Sequence, residues 1–188
     1  MNRSSSTGFG RSSSGVNRSS SNRSQEAAHE DDVDFEAPYE PNEIPGDKDV
    51  VKRYCQSPVN GRLEWIQAEV HPHNLHAGED ITEEMEDYVF ETVEMTDRDN
   101  VEMIIHKSLG GKGSVFWNVF PQGSTFDREK YNDAVESTVF HSVKSSGKPA
   151  VITIKFVFKS PSHTKPYKVL YRVETSDGQF IEDDVLNA

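Results

Sequence analysis

Two stretches of the sequence hold side chains that could do chemistry. In HPHNLH, residues 71–76, three histidines fall within six positions, a density of imidazole that zinc sites use. Pro72 interrupts the strand leading into them, and a loop gives tetrahedral ligation no fixed scaffold, so the segment reads as a loop. The second stretch is VEMIIHKSLGG, residues 101–111, in which a short apolar strand carrying Glu102, Met103 and His106 runs into a Gly-Gly turn. Beyond it come WNVFPQ (117–122), with Asn118, and TFDREKYNDAVE (125–136), with Asp127 and Glu136. Histidine and carboxylate are the side chains of general acid–base catalysis. Hydrolysis is therefore the chemistry this stretch raises.

These residues need elements to position them. RLEWIQAEV (62–70) follows a turn at Asn60-Gly61 and places Leu63 and Trp65 on one face, with Ile66, Ala68 and Val70 on the other. A short helical or irregular segment is expected over 82–96. Tyr131, Ala134, Val135, Val139 and Val143 form one apolar stripe, which predicts a helix over 127–144. Asp127 suits its N-cap, and Lys144 precedes Ser-Ser-Gly at its end. AVITIKFVF (150–158) alternates as a strand, with KPYKVLYRVE (165–174) as its antiparallel partner. Gly178 marks a last turn before an acidic end expected to fray. A hairpin with no helix between its strands predicts an α+β fold with an antiparallel sheet and one main helix.

Charge divides the chain. Residues 1–24 repeat an Asn-Arg-Ser-Ser-Ser theme with four arginines and no acid, and residues 25–51 are acidic and proline-containing. Neither can bury enough apolar surface to offset chain entropy, so both are expected to be disordered, the first as a Ser/Arg-rich tail and the second as a linker. The folded domain is expected over 52–188. The net charge of -12 opposes attraction to a nucleic acid backbone. The single cysteine, Cys55, allows no internal disulfide. No secretory leader or membrane-length apolar run is read in the sequence, so an intracellular protein, cytoplasmic or nuclear, is expected, with no membrane contact.

The run HKSLGGKG, then WNVFPQ, then FDREKY with Glu136 beyond, resembles the DNA/RNA non-specific endonuclease family of the ββα-metal (His-Me finger) fold. The resemblance covers about residues 60–188. The Leu-Gly-Gly turn, the Asn-x-x-Pro-Gln motif at Asn118–Gln122, and the helix opening nine residues after Asn118 carry it. It implies a ββα-metal-like core and, in active members, a histidine base seven residues before the first glycine of the turn. Here that position is Met103, whose thioether cannot take a proton, and the family's arginine corresponds to Val101. The metal ligand of the family corresponds to Asp127, its supporting glutamate to Glu136, and its bracing asparagine to Asn118. A carboxylate suits Mg²⁺ at least as well as an amide, so Mg²⁺ is the cofactor the resemblance implies.

Two residues are candidate replacements for the base. In a continuing strand, His106 would face away from Met103, and Glu102 would also point to the other face. His141 lies far along the helix from Asp127. None of these restores the site, so the expectation is a catalytically inactive nuclease-like domain, a pseudoenzyme that binds a protein partner or regulates one. The alternative is a metal-dependent endonuclease with an atypical site built on Asp127 and Glu136. A second alternative is a nucleic-acid-binding domain without cleavage, with Trp117 and Phe120 stacking on bases, which the acidic charge disfavours.

Overall fold

Alternation in three strands builds the centre of the fold. In a computed structural model that describes residues 34–188, β3 (Leu63–Val70), β6 (Ala150–Val157) and β7 (Lys168–Thr175) pair antiparallel. They turn Ile66, Ala68 and Val70, Ile152, Ile154 and Phe156, and Val169, Tyr171 and Val173 into one core. The short β1 (Asn42–Glu43) and β2 (Val51–Gln56) extend the sheet on one side and β8 (Phe180–Leu186) on the other, giving the order β1-β2-β3-β6-β7-β8. β3 and β6 are neighbours in the sheet but far apart in sequence. Everything that carries the candidate site lies in the excursion between them.

That excursion contains α1 (Glu83–Thr92), capped by Thr82, and a separate antiparallel ribbon of β4 (Asn100–Met103) and β5 (Val119–Gln122). It closes with a helical rod made of α2 (Arg128–Tyr131), a wide π-type turn at Asn132–Ser137, and α3 (Thr138–Ser146). The rod packs on β6 and β7, burying Tyr131, Val135, Val139 and Val143. This stripe repeats every four residues and would drift by about 40° per repeat at 3.6 residues per turn. The wide turn takes up part of that drift. The rod ends at Gly147, whose φ of +68° suits glycine. The fold is thus α+β, mainly antiparallel, with a second small sheet and one main helix.

The structure moves two sequence boundaries. Residues 34–51, expected within the unstructured linker, lie on the folded unit. Phe35 and Val50 are buried, the Trp65 indole donates to the Phe35 carbonyl at 2.9 Å, and Lys155 donates to the Asp34 carbonyl at 2.6 Å. The physical reason is the outer face of β3: Trp65 needs a cover and an acceptor, and this segment supplies both. The acidic end also does not fray. β8 pairs with β7 along its length, and Arg172 binds Glu182 at 2.6 Å while Lys130 binds Asp183 at 2.8 Å. Cations on β7 and on α2 offset the acids that made this segment read as a tail. The tail at 1–24 and residues 25–33 of the linker lie outside the described residues.

Candidate active site

The ribbon, the loop after β4 and the helical rod enclose a polar cavity of about 90 Å³. Its walls carry Glu102, Met103 and His106 from the strand and loop, Gln122 from β5, and Arg128, Asn132 and Glu136 from the rod. Buried groups hold this frame. Asn118 is fully buried, its Oδ1 accepts from Ile105 N at 2.8 Å, and its Nδ2 donates to the carbonyls of Ile105 and Lys112 at 3.0 and 3.1 Å. One carboxamide thereby fixes both ends of the loop from Ile105 to Lys112. The Gly-Gly turn is required by the same closure. Gly110 has φ +89°, and a Cβ on Gly111 would lie 1.7 Å from the Ile105 carbonyl. From the rod, the Tyr131 hydroxyl donates to the Ile104 carbonyl at 2.8 Å, and burial pushes its phenol well above the usual range.

The histidine does not face away. β4 ends at Met103, and Ile104 and Ile105 bend before His106 opens a short 3-10 turn. The strand alternation that would have sent His106 to the far face no longer applies, and His106 and Met103 share the cavity wall. His106 Nδ1 lies 2.9 Å from Glu136 Oε1, and Ser108 Oγ donates to the same oxygen at 2.6 Å. Nδ1 also lies 3.3 Å from the Ser108 amide nitrogen, so the carboxylate and the turn together fix the orientation of the ring. The wide turn matters here too: Glu136 sits inside it, so residue counting in a straight helix cannot place this carboxylate.

Glu102 also lines the cavity, because a twisted two-stranded ribbon lets a long side chain reach the rod. It pairs with the Arg128 guanidinium, which also donates through Nε to Gln122 Oε1 at 3.1 Å. Asp127, in contrast, is exposed and lines no part of the cavity. Its Oδ1 caps the rod by accepting from Lys130 N at 3.0 Å, the ordinary work of an N-cap aspartate. Asp127 and Glu136 therefore do not share the cavity: only Glu136 lines it.

These positions bear on the metal. Among the described residues, no group of three or more His, Cys, Asp or Glu side chains stands close enough to hold one. Glu102 is committed to Arg128, Glu136 to His106 and Ser108, and Asn118 to backbone. The histidines at 71–76 give no such group either: His71 Nε2 pairs with Glu69 at 2.7 Å, and His76 packs edge-on against Phe140. His141 is exposed on α3, with Nδ1 2.7 Å from the Ser137 carbonyl. Trp117 stacks on Tyr54 at 5.3 Å, and Phe120 is buried against Phe126 and Phe156, so neither ring is free to receive a base. Arg128 and Asn132 are the cavity residues that sequence reasoning missed. Arg128 was legible only as the residue after a cap, and nothing in its spacing marked the pairing with Glu102.

No family model matches the sequence, and no curated protein sequence matches it. Solved structures do resemble the fold. NucA from Streptococcus agalactiae with magnesium bound superposes with a TM-score of 0.51 at 12% identity, over 84% of this chain and 77% of that one. Its metal-free form gives 0.50 at 10% identity, over 84% and 75%. The Sda1 nuclease with bound zinc gives 0.49 at 16% identity, over 73% and 74%. At these identities the likeness speaks for the backbone and not for the reaction. The chain shares its fold with the NucA structures.

Proposed function

We propose that this chain is a nuclease-like domain that does not cleave nucleic acid and acts by binding another protein. The observation that carries the reading is the cavity itself. Met103 stands where the resemblance calls for a base, and both cavity carboxylates already have partners, Glu102 in Arg128 and Glu136 in His106. A thioether accepts no proton, and a hydrolytic site needs an activated water that neither committed carboxylate is arranged to supply with a metal. The net charge of -12 supports a protein partner over a polyanion. Mg²⁺ held by Asp127, with Glu136 and Asn118 assisting, is not part of this reading.

One observation favours a second reading, an endonuclease with an atypical site. His106 beside Glu136 is an imidazole oriented by a carboxylate, the arrangement of a general base, and it opens onto the cavity that holds Met103. In that reading His106 Nε2 takes the proton from the attacking water, and Arg128 neutralises charge on the phosphate.

Incubation of the full chain with single- and double-stranded DNA and RNA, in Mg²⁺ and in Mn²⁺, separates the two. The first reading expects neither cleavage nor retardation of any of the four. Cleavage that disappears in His106→Ala establishes the second. Retardation without cleavage replaces both with a nucleic-acid-binding domain.

A further inference from the structure

A second cavity, of about 190 Å³, lies on the other side of Phe120 from the polar one, between α1, the β4–β5 ribbon and one end of the large sheet. Its apolar wall is formed chiefly by Tyr88, Val93, Phe116, Pro121, Phe156 and Pro166. It is larger than the ~150 Å³ apolar cavity that admits a benzene ring, so one large apolar side chain fits. The Arg62 guanidinium at its edge is not available to a ligand. It is held by Glu64 at 2.7 Å and by the carbonyls of Ser160 and His163 at 2.9 and 2.6 Å.

The cavity opens beside an acidic helix. α1 carries Glu83, Glu84, Glu86, Asp87 and Glu91 and no basic residue. None of these five carboxylates has an ion-pair or hydrogen-bond partner among the described residues, and all five are exposed. The acids of the first turn suit the positive end of the helix dipole. Asp87 and Glu91 do not share that explanation. Glu83, Asp87 and Glu91 stand at successive i, i+4 positions, where like charges destabilise an isolated helix by roughly 0.2–0.5 kcal/mol per pair. Glu91 lies in the last turn, where the dipole opposes an acid. Tyr88 belongs both to the apolar wall and to the open depression formed by these acids. The acidic surface and the apolar cavity are therefore continuous.

A local arrangement that costs stability with no partner among the described residues points away from the folded unit. The geometry points to a binding site for a cationic peptide segment of another protein, in which Lys or Arg side chains meet Glu83, Asp87 and Glu91 and one aromatic or large aliphatic side chain enters the cavity beside Tyr88. This rests on the reading of the chain as a binding protein and names the class of its partner. Apolar anchors supply most of the affinity in such sites, and the charged rim supplies orientation and association rate.

The test uses the full chain and a fluorescent Lys-rich peptide carrying one central Phe, with binding followed by anisotropy. The same peptide with Phe replaced by Ala is measured beside it. Two variants complete the set: Asp87→Asn with Glu91→Gln, which neutralises the ridge, and Thr92→Trp, which fills the cavity from an exposed position. Thermal unfolding of each variant checks that it folds.

Saturable binding is expected. It should weaken about tenfold or more on loss of the Phe anchor or on Thr92→Trp, the scale of a lost anchor. The ridge variant should weaken it and flatten its salt dependence. No binding, or equal binding by the Phe and Ala peptides, overturns the site as described. Equal binding by the ridge variant overturns the role of the acids. Displacement of the peptide by Ca²⁺ at low concentration assigns the ridge to a cation and also overturns it. Nucleic acid cleavage by the wild-type chain would sink the underlying reading whatever the peptide does. Absent cleavage with absent peptide binding sinks only the site on α1.

Discussion

His106 Nδ1 stands 2.9 Å from Glu136 Oε1, and this contact ties the loop after β4 to the middle of the helical rod. It makes the polar cavity self-contained: each of its carboxylates answers a cation or an imidazole of the same chain. That closure depends in turn on the frame that holds the loop.

The frame depends most on Asn118. Asn118→Ala leaves the buried Ile105 N–H and the carbonyls of Ile105 and Lys112 without their side-chain partner. Each such orphan costs about 1–3 kcal/mol, although relaxation recovers part of the total. A loss of about 3 kcal/mol is expected in urea unfolding, read from the midpoint at unchanged slope. Asn118→Asp should also be severe, because a carboxylate cannot donate to the two carbonyls.

Two buried tyrosines should respond in opposite ways. The Tyr131 hydroxyl donates to the Ile104 carbonyl at 2.8 Å, so Tyr131→Phe is expected to cost about 1 kcal/mol. The Tyr171 hydroxyl is buried with no hydrogen-bond partner among the described residues. Burial, with Asp183 and Asp184 nearby, pushes that phenol up to about 12. Tyr171→Phe removes an unsatisfied polar atom and should leave stability unchanged or slightly higher. Thermal unfolding of the two variants side by side checks the contrast.

The hairpin was legible in the sequence because Ile152, Ile154 and Phe156 alternate with less apolar neighbours, and a half-buried strand must show that pattern. The helix was legible for the same reason, from Tyr131 through Val143. The turn and Asn118 were legible as a motif, since close backbone approach excludes every residue but glycine at 111. The site was less so. The parity of His106 depends on where β4 stops, and the two bent residues after Met103 leave no mark in an apolar run. The place of Glu136 depends on a wide turn that the stripe of apolar residues only hints at. β8 was hidden because FIEDDVL reads as acidic tail until Arg172, Lys130 and Lys168 are set across from it.

Acid should destabilise the fold through Asp99. Its carboxylate is buried, with only 1% of the side chain exposed, and Lys165 Nζ lies 2.7 Å away. Burial alone would raise this carboxyl, but the bonds from Lys165 and the Thr96 amide outweigh it and hold it below the usual range. A depressed folded-state value contributes stability that is fully present above the unfolded value, near ~4, and is lost as pH falls through the folded one. Urea midpoints are therefore expected to fall on acidification below about pH 4, with a shallower fall in Asp99→Asn measured relative to its own neutral-pH value. Equal slopes in the two proteins would remove Asp99 from the explanation.

Asp127 separates a cap from a metal ligand. As an N-cap it should tolerate Asp127→Asn with little change and lose about 1 kcal/mol in Asp127→Ala. Mg²⁺ should leave the unfolding temperature of the wild-type chain unchanged, because ligand that binds only the folded state must raise it. A rise with Mg²⁺ that is absent in Asp127→Ala would make this residue a ligand after all.

A cavity closed in this way should not cleave nucleic acid. Nicking of supercoiled plasmid by the wild-type chain in Mg²⁺ and Mn²⁺, beside the double variant His106→Ala, Glu136→Gln, tests it most directly. The two proteins should be indistinguishable from each other and from buffer. Nicking by the wild-type chain that the double variant lacks would contradict it and would make the histidine of the 101–111 stretch the base of a working nuclease.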